Sequence, residues 1–220
     1  MHSKKQLAFI DPFLLTSSIH CFNELVELTG LPTSYYMPDK FGINGLKADA
    51  HKNSAYFIAG SASNVTEPLE WHRPLAEFLI SELQSNKPVV AVCFGHQLLC
   101  HAFGSEVGDF YHTGEKITGL RKIQILEDWG SLKRTEEYLL PVTHKQVVKK
   151  LGPELISLGL GLDHDIVIHK TLPFLSTQAH PEASAYFCSS DIKLNEADEK
   201  AGRADGKKFL DHVFRHFKIL

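Results

Sequence analysis

The 220-residue chain has no apolar run long enough to cross a bilayer, which argues against a helical membrane span. It has no basic excess. The formal net charge is −3, and no Lys/Arg stripe offers a footprint for nucleic acid. Its four cysteines, Cys21, Cys93, Cys100 and Cys188, are too irregularly spaced for a disulfide framework, so a reducing cytoplasm is the expected compartment. No repeat, low-complexity tract or composition break marks a linker, and residues 1–220 read as one domain. Histidines are plentiful, yet His144, His164, His169 and His180 lack any established ligand spacing, and no metal is expected. "GLGLDH" (159–164) lacks the third glycine of a dinucleotide fingerprint and reads as a turn, so no cofactor is expected either.

What is present is a globular balance, 43% hydrophobic and 22% charged, in a chain long enough to enclose a sizeable core. The start, "MHSKKQLAFIDPFLL", has basic residues and then apolar ones, as a leader does. Asp11 and Pro12 break that run, so "QLAFID" (6–11) reads as a first strand. "SAYFIAG" (54–60), "PVVAVC" (88–93) and "DIVIHK" (165–170) are further buried-strand candidates. "PLEWHRPLAEFLISELQSN" has Leu75, Phe78, Leu79 and Leu83 at helical spacing, with Pro74 suited to a first turn. A second helix runs from Cys93 to a stop at Gly104, and a third, with a Phe-rich stripe, closes the chain. Residues 105–180 are richer in strands and turns, with "RKIQIL" and "EYLLPVT" as candidates. Alternating strands and helices in the first half predict an α/β fold whose parallel sheet is covered on both faces.

In such sheets ligands gather beyond the carboxyl ends of the strands, where Cys93 falls. "KPVVAVCFGHQLLCHAFG" (87–104) passes from strand to helix in one step, with small residues, Ala91 and Gly95, two places either side of Cys93. A tight strand-to-helix turn exposes its central side chain, and the helix N-terminus favours an anion there. A cysteine at this place is either a small core hydrophobe or a nucleophile. A nucleophile needs a histidine oriented by a third group. "LSTQAHPEASAYF" (175–187) places His180 and Glu182 either side of a stiff proline, so the carboxylate could fix the imidazole tautomer.

Together "AVCFGHQLL" and "TQAHPE" resemble the class I glutamine amidotransferases, whose nucleophile turn reads Gly-x-Cys-x-Gly-x-Gln and whose base segment is commonly Gln-Phe-His-Pro-Glu. "YFIAGSASNVTEPLEW" (56–71), "FGSEVGDFYHTGEKITGLRKIQI" (103–125) and "PVTHKQVVKKLGPELISLG" (141–159) resemble the family's oxyanion loop, the stretch after the nucleophile helix and the substrate loop. The resemblance covers roughly residues 54 to 187 and is close to the stand-alone, GMP-synthase-like members. It implies a three-layer, flavodoxin-like α/β sandwich around a mixed, mostly parallel sheet. It also implies hydrolysis of the glutamine side-chain amide by Cys93 as nucleophile, His180 as general base and acid, and Glu182 as its orienter. The backbone N–H groups of Phe94 and of Ser61 or Gly60 would hold the oxyanion. Gln97 and the backbone of Thr143, His144 and Lys145 would bind substrate.

Four departures from the family pattern stand out: Ala91, Ala179, Gln146, and "AGSAS" (59–63), where the family has Gly-Gly-Pro. Ser61 falls on the second glycine, and a residue with a Cβ reaches positive φ only at a cost, so a differently shaped oxyanion loop is predicted. Because the matched region takes up most of the chain, an amidotransferase role implies a separate ammonia-accepting synthetase subunit. The alternatives are a self-contained γ-glutamyl amide or peptide hydrolase, and a catalytically silent member that binds a small molecule or regulates another protein.

Overall fold

The computed structural model describes residues 5–220; Met1–Lys4, the basic start of the leader-like stretch, lie outside them. β1 (Leu7–Ile10) leads through α1 (Ile19–Thr29) to β2 (Thr33–Tyr36). Two short helices, α2 (Pro38–Phe41) and α3 (Asn44–Ala48), precede β3 (Ala55–Ile58). α4 (His72–Gln84) then returns the chain to β4 (Val89–Val92), which turns directly into α5 (Phe94–Ala102). Strands β5 (Glu106–Asp109), β6 (Ile117–Ile125), β7 (Glu137–His144), β8 (Gln146–Lys150), β9 (Leu155–Leu160), β10 (His164–His169) and β11 (Phe174–Thr177) follow. A π-type helix (Phe187–Ile192) and α6 (Glu196–His216) close the chain.

One nine-stranded sheet has the order β2-β1-β3-β4-β11-β10-β9-β6-β7, and β5 pairs with β8 in a separate ribbon. The half from β2 to β11 is parallel, and β10, β9, β6 and β7 extend it antiparallel. The expected three-layer sandwich is therefore present, with the parallel half carrying the short apolar runs. Alternate residues of each central strand feed opposite cores. Leu7, Phe9, Ala55, Phe57, Val90 and Val92 join Leu25 of α1 and Phe209, Leu210, Val213 and Phe214 of α6. Ala8, Ile10, Tyr56, Ile58, Val89 and Ala91 join Leu75, Phe78 and Leu79 of α4 and Leu98 and Leu99 of α5. Burial on both faces explains why these strands read as unbroken apolar runs and not as alternating ones.

Local chemistry sets the helix ends. Asn195 caps α6 by accepting from the Asp198 backbone N–H at 2.9 Å, and Glu196, Asp198 and Glu199 place negative charge in the first turn. Gly30 ends α1 in the left-handed conformation. Pro74 sits in the first turn of α4, as its sequence predicts. Trp71 and His72 begin this helix and are buried against Phe94, with ring centroids 5.5 and 5.0 Å away. Among the described residues no helix is long and apolar enough to cross a membrane.

Candidate active site

Three neighbouring strands, β3, β4 and β11, run parallel and end on the same side. Just beyond those ends lie Gly60, Cys93 and His180, so adjacent strands bring together residues far apart in sequence. Cys93 occupies the one-residue turn between β4 and α5, with φ 50° and ψ −108°. That conformation is costly for a residue bearing a Cβ, and the surrounding core must enforce it. Gly95 makes the turn possible: a Cβ there would lie 2.8 Å from Ile58 Cγ2 and 2.9 Å from the Ile58 carbonyl oxygen. Ala91, the small residue before the turn, is fully buried in the core beneath α5.

His180 and Glu182 are both buried. The imidazole Nδ1–H donates to Glu182 Oε1 at 2.9 Å, because a carboxylate can only accept. Nε2, on the other edge of the ring, has no hydrogen-bond partner among the described residues. It borders the same spot as Cys93: a side chain added at Gly60 would come within 3.6 Å of Nε2 and 3.3 Å of Cys93 Cβ. Burial alone would lower the His180 pKa, but the Glu182 carboxylate and the Cys93 side chain outweigh it and raise it to about 10. The ring is steadied by Phe187, whose centroid lies 4.8 Å away, and the His180 backbone N–H donates to the Pro141 carbonyl at 2.8 Å.

Cys93, His180 and Glu182 share a cavity of about 270 Å³ with Gly60, Ser61 and Thr143. The Cys93 thiol lies 3.7 Å from the Thr143 carbonyl oxygen and can donate to it. The outer wall comes from Phe13–Ser18 after β1, from Cys21, and from Tyr186 and Phe187. That wall carried no signal in the sequence, because residues 12–18 match no motif. Among the described residues there is no cluster of three or more side chains that could hold a metal.

The other predicted site residues are placed differently. Ser61 does not adopt positive φ; Cys93 does. The Ser61 hydroxyl accepts from the Ser63 N–H at 3.0 Å, and Ser63 Oγ lies 2.8 Å from His72 Nε2. His72 Nδ1 accepts from the Leu69 N–H at 3.3 Å, so Nε2 is the donor to Ser63. Burial lowers the His72 pKa to about 4, leaving it neutral. The departure from Gly-Gly-Pro is thus accommodated by a side-chain chain, Ser61–Ser63–His72, without a strained serine.

Gln97 does not border the cavity. Its amide donates to the Gln146 carbonyl at 2.7 Å and to Gln178 Oε1 at 3.1 Å, so it ties the start of β8 to the segment just after β11. His144 is buried too: Arg121 Nη2 donates to its Nε2 at 2.8 Å, and its Nδ1–H donates to the Gln146 carbonyl at 3.0 Å. Lys145 points outward, and its carbonyl accepts from the Phe110 N–H at 2.9 Å. Phe94 starts α5 with its side chain in the core. Of the predicted substrate contacts, Thr143 alone borders the cavity.

Comparison with known proteins places this geometry in a family. The glutamine amidotransferase class-I family profile matches residues 35–187, and the chain belongs to that family. A glutamine-hydrolyzing GMP synthase subunit of Pyrococcus furiosus is 32% identical over 116 residues, covering 51% of this chain and 60% of the relative. Anthranilate synthase component 2 of Haemophilus influenzae is 31% identical over 111 residues, covering 48% and 54%. The chain spans about three-fifths of the length of the first curated relatives it matches. A glutamine amidotransferase crystal structure from Thermotoga maritima covers 99% of this chain and 100% of its own, with a TM-score of 0.77 at 14% identity, and shares the fold.

Proposed function

We propose that this protein releases ammonia from the side-chain amide of glutamine, or of a related γ-glutamyl compound, through Cys93, His180 and Glu182. The observation that carries the reading is a cysteine forced into positive φ at a strand end, facing the open nitrogen of an imidazole whose other nitrogen is held by a buried carboxylate.

The Cys93 thiol passes its proton to His180 and the sulfur attacks the amide carbon, forming a C–S bond while the carbonyl π bond opens to a tetrahedral oxyanion. Backbone N–H groups of Phe94 and of Gly60 or Ser61 would hold that charge. His180 gives a proton to the departing nitrogen, the C–N bond breaks, and ammonia leaves with a γ-glutamyl thioester behind it. Water then attacks the thioester carbon while His180 takes its proton. The C–S bond breaks, His180 returns the proton to the sulfur, and glutamate is released and the thiol restored. Glu182 keeps Nδ1 protonated and Nε2 directed at the sulfur throughout.

The names of the two curated relatives describe one as a component and the other as a subunit, which supports delivery of the ammonia to a separate synthetase chain. Incubating the pure protein with glutamine and γ-glutamyl amides, and measuring glutamate and ammonia, tests the reading. Product formation that Cys93→Ser abolishes is the expected result, together with labelling of Cys93, not Cys21, Cys100 or Cys188, by a glutamine-analogue electrophile. Activity unchanged in Cys93→Ser would overturn it. Turnover only with an added synthetase supports the amidotransferase role, and full turnover alone supports a self-contained hydrolase.

A further inference from the structure

Gln146 departs from the family pattern, and its side chain does not line the cavity. It is buried, and its amide oxygen and both amide N–H groups are bonded. Oε1 accepts from the Val65 backbone N–H at 2.9 Å. Nε2 donates to Thr66 Oγ1 at 2.6 Å and to Asp109 Oδ1 at 3.1 Å. The β5–β8 ribbon supplies the last of these partners, because its register sets Asp109 opposite Gln146.

Val65 and Thr66 end a loop that begins at the reacting groups. A Cβ at Gly60 would lie 3.3 Å from Cys93 Cβ and 2.7 Å from His180 Cε1, and Ser61 and Ala62 line the cavity. Within residues 60–66 only two backbone N–H groups have partners among the described residues, and both partners are side chains. Ser63 donates to Ser61 Oγ and Val65 to Gln146 Oε1. With no ladder of its own, the loop takes its shape from two anchors. His72 holds its middle through Ser63, and Gln146 holds its far end. The Gln146 carbonyl accepts from Gln97 of α5 and from His144, so the same residue is tied to the helix that follows Cys93 and to the strand that carries Thr143.

We propose that Gln146 is a positioning residue: it sets the loop whose Gly60 or Ser61 N–H would hold the oxyanion, and Asp109 sets Gln146. This inference rests on the glutamine-hydrolysing reading and gives the β5–β8 ribbon a part in it. The partners also account for the residue type. A carboxylate at this position keeps the Val65 bond, loses both donors and meets Asp109 with like charge.

Steady-state kinetics on the amide that the native protein turns over test it. Gln146→Glu should lower kcat about 30-fold with KM within about twofold, because a misplaced donor acts on the transition state more than on the bound amide. The double variant Gln146→Glu, Asp109→Asn reverses donor and acceptor across the same contact, and should bring kcat back to within about threefold of the native value. Gln146→Leu should lose kcat as Gln146→Glu does and gain nothing from Asp109→Asn; if it does not fold, the Gln146→Glu pair decides. An unchanged kcat in Gln146→Glu, a loss carried by KM alone, or a double variant no better than Gln146→Glu overturns the assignment and leaves the hydrolytic reading standing. If the native protein releases no ammonia from glutamine or any γ-glutamyl amide, the reading and the assignment fall together.

Discussion

Arg121 donates to Nε2 of His144 at 2.8 Å and to Oδ1 of Asp165 at 2.5 Å, so one buried guanidinium fixes both an imidazole tautomer and a carboxylate. Asp165 in turn accepts from the backbone N–H groups of Gly161, Leu162 and Asp163, which makes the turn between β9 and β10. Burial and the Arg121 charge lower the His144 pKa to about 4, so the ring stays neutral with its Nδ1–H on the Gln146 carbonyl, joining the end of β7 to the start of β8.

Removing that cation strands a buried carboxylate. Arg121→Met should lower unfolding stability by roughly 3–5 kcal/mol, read from the urea midpoint. Arg121→Lys keeps the charge but cannot fork to both partners, and should cost less. Arg73→Met, which breaks the exposed pair with Glu77, should leave the midpoint within error.

The strain at Cys93 leads to a second prediction. Glycine adopts φ 50° freely, so Cys93→Gly relieves a penalty on the order of 1–3 kcal/mol against about 0.5–1 kcal/mol of lost chain entropy. The variant should be inactive yet unfold at a higher denaturant concentration than Cys93→Ala, which keeps the Cβ. Equal midpoints would show that the turn is not strained.

Gly60 separates packing from backbone effects. Its φ is not positive, so the backbone accepts alanine, but the new methyl would lie 2.7 Å from His180 Cε1. Gly60→Ala should remain folded by circular dichroism while kcat/KM falls on the order of 100-fold, the scale of a small misplacement of reacting groups. Unchanged turnover would mean His180 can move aside at no cost to the chemistry.

The pair His180–Glu182 makes stability depend on pH in a definite direction. The folded pKa of His180 is raised from 6.5 to about 10, so the native state holds a proton that the unfolded chain releases first. Its contribution is complete below about pH 6.5 and is lost as pH rises toward about 10. Glu182→Gln removes the charge that raises it. Urea midpoints at pH 6, 8 and 10 should therefore fall more steeply for the native sequence than for Glu182→Gln; parallel declines would rule out this linkage.

Much of the parallel half was legible in the sequence because doubly buried strands leave continuous apolar runs, as in "PVVAVC", and helices α4, α5 and α6 leave periodic ones. The juxtaposition of Cys93, His180 and Glu182 could be anticipated from two short motifs whose residue types constrain each other. What was not legible depended on distance along the chain. Arg121 and Asp165 are 44 positions apart, and no local spacing announces their pairing. β8 and β9 lie in a stretch expected to be rich in strands and turns, but neither was singled out as a strand. Gln97 has the right residue type at the right spacing, but only the fold shows its amide turned inward to Gln146 and Gln178.

The parallel strand order also divides the labour of change. Gly60, Cys93 and His180 follow fully buried strands at the middle of the sheet, whereas the outer wall is furnished by residues 13–18 and the segment around Tyr186. The proposed reacting groups and the outer wall of their cavity are therefore written on different stretches of chain. Under the proposed mechanism, changes in the wall would retune the clientele while leaving Cys93, His180 and Glu182 in place.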